Sequence, residues 1–512
     1  GNPKCTTCGK EEIQRECEVL SDPFLGPLEM SIYNPPTLEH LAMEALLWND
    51  AIDFSDLEDL PTIFFPSLLK EAFSGRHTEI LKAVVAAWPF PYLHVGSLLK
   101  TNDVEMMQAV LDGIDILLTQ EVRPRRGKLQ VLDLRDMHQD FRDVCARREY
   151  GGCSADKVYR KQVPVNLPSY EVRQHLKVIT NLSLFFNLNE DQKCFLQWAQ
   201  KRKDSLQLCC LKMKICVFPL EIIKEILNIF QPNYFEELEI CTPEVLSFLH
   251  FFAYFLGQMR NLLKFHLNQI HFKDNVVDTV TEIKKYAGKF FSQFSELSHL
   301  QHLYMNGAYF ANDNMKELSR CLKSSLDSLS ITFCSLSMSD LKHMSRCQRL
   351  YQLKHLHFTS VVFSKSCFKS LHILLEHVSE TLQSLQLEHC RMKDSQLKIL
   401  LPALSKCSQL TSVNFYGNNF SSSVLKELLK CMANLNKLTV EYYPAPLECY
   451  DHLGHIVVER FSQLCPELMN ILIAKRQPEI ILFATATCPR CWKHCAYGTK
   501  TTLCLCWQEI VD

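Results

Sequence analysis

The stretch that decides the fold begins with Leu326-x-x-Leu329-x-Ile331-x-x-Cys334-x-Leu336. The same spacing of apolar residues returns in later copies that begin at Leu353, Leu382, Leu410 and Leu435. Successive copies start 25 to 29 residues apart, which is the interval of a structural repeat that stacks into a solenoid. The even spacing therefore predicts a chain that builds one small unit many times.

Each copy predicts one strand followed by one helix. Apolar residues at every second position give a strand with one buried face, and the Cys or Asn that follows turns the chain toward the interior. Between copies the apolar spacing becomes helical, as in Leu397, Leu400, Leu401 and Leu404 after Asp394. This unit is the leucine-rich repeat. We therefore predict an α/β horseshoe solenoid of the ribonuclease-inhibitor type, with a parallel sheet on its concave side and helices on its convex side.

Weaker copies of the pattern precede this stretch, beginning at Leu208, Phe235, Leu262 and Leu300, and an earlier copy at Leu129 is expected to open the stack. The copy at Leu208 is Leu208-x-x-Leu211-x-Met213-x-x-Cys216. We predict five segments: a flexible extension at 1–29, a helical region at 30–100, a cap with degenerate repeats at 101–200, leucine-rich repeats at 201–445, and a C-terminal cap with a cysteine cluster at 446–512.

Composition excludes several classes of partner. The chain carries 55 basic and 57 acidic residues, for a net charge of −2, so no global field draws it to nucleic acid or anionic lipid. Its 24 cysteines are scattered through predicted strands and helices, which indicates reduced thiols and a cytoplasmic or nuclear protein. The longest apolar run, at 245–256, is too short to span a bilayer. We expect neither nucleic acid nor membrane as a direct partner.

Two amphipathic segments lie near the N-terminus. Thr37 follows two prolines and is suited to cap a helix, on which Leu38, Ala42 and Leu46 fall four residues apart on one stripe. Such a stripe either enters a groove on a partner or packs on its own domain. The second segment is Leu60-Pro61-x-x-Phe64-x-x-x-Leu68, where Pro61 fits the first turn of a helix.

Both segments resemble ligase-adaptor motifs. Thr37-Leu38-x-x-x-Ala42-x-x-x-Leu46 resembles a BC box, the motif that binds elongin C. Leu60-Pro61-x-x-Phe64-x-x-x-Leu68 resembles a cullin-2 box. A cullin-5 box would have a second proline where this chain has Ile63, and this difference favours cullin-2.

Further segments narrow the resemblance, namely Gly75-Arg76-His77, Ala87-Trp88-Pro89-Phe90, Val110-Leu111-Asp112-Gly113, Glu121-Val122-Arg123-Pro124-Arg125-Arg126 and Leu129-Gln130-Val131-Leu132-Asp133-Leu134-Arg135. With them, the chain from about Met30 to its C-terminus resembles the PRAME family, in its PRAME-like or oogenesin branch. At Gly127 the chain departs from the family, which commonly has an aromatic residue there.

The resemblance implies the substrate-recognition subunit of a ubiquitin ligase with elongin C, elongin B and cullin-2 with its RING subunit, which presents a protein target for ubiquitination and proteasomal degradation. It also implies roles in repressing transcription, differentiation and apoptosis, and in cell proliferation. The alternative is a ligase-independent repeat scaffold or transcriptional co-regulator of the germline or early embryo. We expect no enzyme, because the sequence has no nucleophile elbow, HExxH or phosphate cradle.

Residues between the buried positions of each copy are predicted to line the concave face and to bind the target. They are Lys264, His266, His302, Tyr304, His355, His357, Gln386, Glu388, Asn414 and Tyr416. This mixture of charges, imidazoles and phenols suits a protein surface better than a polyanion.

A cysteine cluster ends the chain, with Cys488-x-x-Cys491 followed by Cys504-x-Cys506. Four thiolates are the number that tetrahedral zinc requires, and such an ion would close the last repeat. In this arrangement the chain resembles PRAME-like proteins, which also have two cysteine pairs at the C-terminal end. The alternative is a set of reduced thiols in a cap, and no other cofactor is expected.

Overall fold

A computed structural model describes residues 37–48, 54–57, 59–99, 103–119, 128–135, 176–242, 245–269, 280–307, 314–488, 490–504 and 506. The predicted extension at 1–29 lies outside this part of the chain, as do Gly127 and the last positions of the copies that begin at Leu129 and Leu262.

The dominant feature is one sheet of 14 strands in which spatial order follows chain order. Every neighbouring pair in it is parallel except the last, β15 and β16, which is antiparallel. Strands β9 and β11 form a separate two-stranded sheet. The strands are β1 Tyr92–His94, β2 Val131–Asp133, β3 Lys177–Phe185, β4 Gln207–Cys216, β5 Glu237–Thr242, β6 Lys264–Gln269, β7 His302–Asn306, β8 Ser328–Thr332, β9 Ser335–Leu336, β10 His355–Thr359, β11 Val362–Phe363, β12 Ser384–Glu388, β13 Ser412–Asn414, β14 Val440–Pro444, β15 Ile480–Ala484 and β16 Ala496–Gly498.

Four helices of the described residues precede β1, and most later helices alternate with strands. The helices are α1 Leu38–Leu47, α2 Phe54–Leu57, α3 Phe65–Ser74, α4 Thr78–Ala86, α5 Val104–Thr119, α6 Glu190–Arg202, α7 Leu220–Leu227, α8 Val245–Leu256, α9 Val280–Ser292, α10 Met315–Cys321, α11 Met338–Ser345, α12 Phe368–Val378, α13 Asp394–Leu404, α14 Ser422–Met432 and α15 Val458–Ile473. From α8 onward each helix packs against the next, so helices and strands are stacked in the same order. Among the described residues no helix is both long and apolar enough to cross a membrane.

The predicted repeat pattern is confirmed in its strand, turn and helix positions for the copies that begin at Leu326, Leu353, Leu382 and Leu410. Parallel pairing aligns Leu329, Leu356, Leu385 and Val413 across adjacent strands, and all four side chains are buried. The helix predicted after Asp394 is α13, whose Leu397, Leu400 and Leu404 are also buried. This arrangement is a mixed α/β fold with a large, mostly parallel sheet, as a stack of leucine-rich repeats requires.

The copy predicted at Leu208 was wrong in its register. Strand β4 pairs Met213 with Leu238 and Ile215 with Ile240, so Met213 occupies the position that the prediction gave to Leu211. Leu211 instead packs with Ile179 and Cys209 in a small cluster apart from the main core. The offset at Leu208 arises because β4 carries apolar residues on both faces at its start, and a register shift between Thr180 and Asn181 in β3 accommodates them.

The copy predicted at Leu435 was also wrong in its register. Strand β14 pairs Glu441 with Val413, so Glu441 occupies the position that the prediction gave to Leu438. The leucine spacing did not indicate this register because the buried position holds a carboxylate, which pairs with the guanidinium of Arg476 at 2.6 Å.

The sheet also contains strands that the repeat pattern did not reveal. Strand β1 precedes the earliest predicted copy, which begins at Leu129. The nine-residue strand β3 follows that copy. At the other end β15 and β16 extend the sheet beyond the copy that begins at Leu435. The stack is therefore longer than the sequence pattern indicated.

Turn positions after the strands tie adjacent repeats together. The amide nitrogen of buried Asn418 donates to the carbonyl oxygens of Leu387 and Phe415 at 2.6 and 2.9 Å, and its amide oxygen accepts from the backbone nitrogen of Met392 at 3.0 Å. The thiol of Cys390, one repeat earlier, donates to the carbonyl oxygen of Phe358 at 3.4 Å. These side chains satisfy backbone groups that the turn would otherwise leave buried and unpaired.

We expect Asn418→Ala to lower the free energy of unfolding by about 2 to 3 kcal/mol, because it leaves buried backbone groups without partners. The matched control is Asn419→Ala, at the exposed neighbouring position, which should change stability by less than about 0.5 kcal/mol. Urea denaturation followed by circular dichroism measures both. Equal midpoints for the two variants would contradict the bridging role of Asn418.

Candidate functional site

Helix α1 presents one face to the protein and another to solvent. Thr37 caps it, since its hydroxyl accepts a hydrogen bond from the backbone nitrogen of His40 at 3.1 Å. Met43 is 3% exposed and joins the main core, and Leu46 and Leu47 pack against that core. Leu38, at the start of the same helix, is 87% exposed. The helix is therefore anchored to its own chain through the opposite side.

The exposed side of α1 is a continuous apolar stripe. Its members share one side at the spacing of a helix and comprise Leu38, Leu41, Ala42, Ala45 and Trp48, all of them exposed. We name these five residues the α1 stripe. The predicted BC-box residues Leu38 and Ala42 belong to it, whereas Leu46 is turned partly toward the core. Leu41 and Trp48 were missed, although helical spacing from Leu38 was a signal that could have identified them.

The second predicted motif is divided between surface and interior. Pro61 is exposed and precedes a 3-10 turn at Thr62–Phe64, which leads directly into α3. Leu60 and Phe64 are partly buried against the core, and Ile63 is 73% exposed. Leu68 is fully buried within the chain, so its side chain is unavailable to a partner. The reachable part of the motif is thus Pro61, Ile63 and the exposed edges of Leu60 and Phe64.

An aromatic contact fixes this motif to the first strand of the sheet. Phe65 of α3 meets Trp88 edge-on, with ring centroids 6.1 Å apart. The indole nitrogen of Trp88 donates to the carbonyl oxygen of Tyr92 in β1 at 3.0 Å. Both rings are buried. A partner held at Pro61 and Ile63 would therefore be positioned relative to the sheet.

The predicted target-binding residues lie together on one side of the sheet. We name this set the polar sheet face; its members are Lys264, His266, His302, Tyr304, His355, His357, Gln386, Glu388, Asn414 and Tyr416, and each is partly exposed. Strand pairing joins Lys264 to His302 and His266 to Tyr304. Farther along it joins His357 to Gln386 and Gln386 to Asn414. Ser328 and Ser330 of β8 lie between the two groups.

Charges on β4 and β5, next to the N-terminal end of this face, are paired with one another and with Lys264. The carboxylate of Glu237 lies 3.0 Å from the ammonium groups of both Lys212 and Lys264, and Glu239 lies 2.8 Å from Lys214. Burial opposes ionisation of Glu237, but the two lysines outweigh it and lower its pKa. Acidic and basic groups are therefore close to balance in this region, which lacks the strong positive potential that binding of a polyanion requires.

Histidines occupy the middle of the polar sheet face. His266 stacks on Tyr304 with ring centroids 4.1 Å apart. His302 Nδ1 and His357 Nε2 each lie 2.9 Å from a serine hydroxyl, of Ser328 and Ser384 respectively. Burial lowers the pKa of His266, His302 and His355, and burial together with His355 lowers that of His357 to about 4. These imidazoles are therefore neutral hydrogen-bonding groups at physiological pH.

A cavity of about 220 Å³ marks the C-terminal end of the face. The carboxylate of Glu388 accepts from the amides of Gln386 at 2.5 Å and Asn414 at 3.0 Å. The hydroxyl of Tyr416 donates to the carbonyl oxygen of Thr485 at 2.9 Å. His494 contributes another part of the wall. The cavity thus offers an anionic acceptor beside aromatic rings.

The four predicted cysteine ligands converge in space. The Sγ atoms of Cys488, Cys491, Cys504 and Cys506 all lie within 4.8 Å of one another. Backbone N–H groups of Cys491 and Arg490 donate to the Cys488 sulfur, and these bonds lower the pKa of its thiol to about 6. Such a set of soft donors is suited to a thiophilic metal ion.

Comparison with known families matches both parts of the chain. Residues 35–142 match the PRAME N-terminal domain and residues 176–506 match the PRAME C-terminal domain. The chain belongs to the PRAME family. The first match includes the α1 stripe and the second includes the polar sheet face and the cysteine cluster, so both regions lie within the family's own domains.

Individual relatives align with this PRAME-family chain over nearly its full length. PRAME family member 8 of Homo sapiens is 42% identical over 481 residues, which cover 93% of this chain and 100% of that protein. Oogenesin-3 of Mus musculus is 40% identical over 474 residues, 92% of this chain and 94% of its own length. Preferentially expressed antigen in melanoma-like protein 7 of Mus musculus is 39% identical over 479 residues, 93% and 99% of the two chains.

The partly buried imidazole of His357 should make the fold sensitive to acid. Its folded pKa of about 4 lies below the unfolded value of about 6.5, so the unfolded chain binds the proton first as pH falls. Stability should fall between about pH 6.5 and about 4, by up to about 3 kcal/mol from this residue. His357→Gln, which cannot take up the proton, should reduce that loss in pH-dependent urea denaturation.

The control is Gln383→Ala, because Gln383 is exposed just before β12 and does not titrate. This variant should keep the wild-type dependence on pH. The same pH profile for wild type and His357→Gln would show that His357 is not the acid-sensitive group.

Proposed function

We propose that this chain is the substrate-recognition subunit of a ubiquitin ligase built on cullin-2, its RING subunit and elongins B and C. The α1 stripe is the observation that carries the proposal. Helix α1 is held by Met43, yet it leaves an apolar side exposed at Leu38, Leu41 and Trp48. An apolar helical stripe rimmed by polar residues is typical of a helix that enters a groove on another protein.

Elongin C is the occupant that the BC-box resemblance suggests for this stripe. Thr37 fixes the start of the helix, so Leu38 projects from its first turn, and Ala42 allows a partner to approach closely one turn later. Complete burial of a leucine side chain contributes about 1.5 to 3 kcal/mol. Leu38 alone could therefore account for roughly a tenfold to hundredfold change in affinity.

Cullin-2 is proposed to contact the surface around Pro61 and Ile63. This surface follows α1 in the chain, and α1 and α3 pack against each other, so two adjacent proteins could be held side by side. Leu68 serves a different purpose in this scheme, because its burial stabilises α3 beneath the exposed turn.

The target protein is proposed to bind the polar sheet face. In this proposal the repeats curve into a horseshoe, with this face on the concave side and the stacked helices outside. Neutral imidazoles, the stacked Tyr304 ring and the acidic cavity at Glu388 are suited to the varied side chains of a protein surface. The paired charges at Glu237 and Glu239 argue against nucleic acid as the ligand.

Under this proposal the chain itself performs no chemical step. It holds a target lysine near the ubiquitin thioester carried by the RING-bound conjugating enzyme, and so raises their effective concentration. Degradation of the target in the cytoplasm or nucleus would then serve the control of transcription, differentiation, apoptosis and cell proliferation.

A second candidate is a ligase-independent scaffold or transcriptional co-regulator of the germline or early embryo. The observation that favours it is the composition of the polar sheet face, which is formed by β6 to β13 and the residues that follow them, with none from 37–74. Target binding could therefore persist without the adaptor motifs. Combined Leu38→Asp and Ile63→Asp substitution, at two exposed positions, would spare cellular activity in this case and remove it in the first.

Leu38→Asp should reduce co-purification of elongin C by about tenfold or more, because it places a charge where an apolar contact is proposed. Its melting temperature should match wild type, since Leu38 is exposed. His40→Asp is the matched control, since it adds the same carboxylate at an exposed position on a different side of α1. Elongin retention by Leu38→Asp at the level of the control would refute the assigned role of the stripe.

Ile63→Asp should separate the two proposed adaptor contacts. We expect loss of cullin-2 with retention of elongins B and C in a quantitative pull-down, because Ile63 lies outside the α1 stripe and is exposed. Lys70→Asp, at an exposed position of α3, should retain all three proteins. If Ile63→Asp releases elongin as well, or keeps cullin-2, the separation of the two surfaces is incorrect.

A further inference from the structure

The C-terminal segment returns along the edge of the large sheet. After β15 the chain passes Thr485, carries the first cysteine pair, and comes back as the three-residue strand β16, antiparallel to β15. The second cysteine pair follows at Cys504 and Cys506. Three residues of pairing are a short closure for a sheet edge whose backbone groups need partners.

The four sulfur atoms of this cluster lie close enough together to bind one metal ion. In the described part of the chain no other group of three or more potential ligands lies together in this way. Cys491 Sγ and Cys504 Sγ are 3.4 Å apart, and the full set lies within 4.8 Å. Four sulfurs at about 2.3 Å from a tetrahedral zinc ion would lie about 3.8 Å from each other. The four side chains thus already surround a volume of the right size.

We propose that Cys488, Cys491, Cys504 and Cys506 hold one structural Zn²⁺ ion that fixes the C-terminal wall of the polar sheet face. Four protein sulfurs complete the tetrahedron and leave no position for water or substrate, so the ion supports structure and does not catalyse. This proposal stands independently of the ligase function.

A fifth cysteine lies beside the ligands without joining them. Cys495 is buried, and its Sγ accepts a hydrogen bond from the backbone nitrogen of Cys504 at 3.1 Å. Its own backbone nitrogen donates to the hydroxyl of Thr485 at 3.0 Å. Cys495 is therefore a positioning residue between the metal ligand Cys504 and Thr485, whose carbonyl oxygen holds the cavity residue Tyr416.

The connection from the metal to the cavity is short. Thr485 exchanges hydrogen bonds with Cys495 and accepts the hydroxyl of Tyr416 at its carbonyl oxygen. His494 lies between the two cysteine pairs, with its ring centroid 6.4 Å from that of Tyr416. Loss of the ion would release the segment that carries Thr485 and His494. The cavity beside Glu388 would then lose His494 from its wall, and Tyr416 would lose its hydrogen-bond acceptor.

The first test measures metal in the full chain purified without chelator. Elemental analysis should give about one zinc per chain, and Co²⁺ substitution should give the absorption bands of a tetrahedral thiolate site. Cys488→Ser and Cys506→Ser should reduce zinc to less than about half, whereas Cys495→Ser should retain it. The control is Cys194→Ser, which replaces a half-exposed thiol in α6 that is distant in sequence from the cluster and should leave the zinc content unchanged.

The second test uses wild type, so it does not depend on the folding of a variant. Hydrogen exchange before and after treatment with a chelator should show faster exchange at 481–498 and unchanged exchange at 355–388. Two results would overturn the proposal: zinc content unaffected by both cysteine ligand variants, or no zinc in wild type together with identical exchange before and after chelation.

Discussion

The parallel alignment of buried side chains is the constraint on which the whole structure depends. Each strand presents apolar residues to the same interior as its neighbours, and a shift of one residue would move those side chains to the opposite face. Leu329, Leu356 and Leu385 lie in one such row. Because the row fixes the inward side chains, it also fixes the outward ones, and His357 and Gln386 become neighbours for that reason.

Sequence periodicity predicted the repeats best where only one face of a strand is apolar. In β10 and β12 the alternation is unambiguous, so the buried residues and the polar sheet face followed together. Strand β4 has apolar residues on both faces, and spacing alone could not separate Met213 from Leu211. Strand β1 is only three residues long, too short for a pattern to indicate it.

The candidate sites were predictable to different degrees for physical reasons. Motif spacing placed Leu38 and Ala42 on one side of α1, but the side that faces the core depends on packing against α3, which no local pattern encodes. That packing turns Leu46 inward and adds Trp48 to the exposed stripe. Leu68 likewise has the spacing of the predicted cullin-2 box, yet its side chain is buried in the interior. The cysteine spacing indicated the right number of donors, whereas their convergence depends on the return of β16 along β15.

Collinearity of strand order and chain order has a consequence for distance. Ten strand spacings separate β1 from β13 in the sheet, and at about 4.8 Å each they amount to about 48 Å along it. The aromatic contact between Phe65 and Trp88 ties α3 to one end of the sheet, and the cavity near Tyr416 lies toward the other end. Gain or loss of one repeat would change the distance between these two ends by one strand spacing, about 4.8 Å, and leave the structure of both ends unchanged. The distance between the N-terminal helices and the cavity can therefore change during evolution in steps of one repeat.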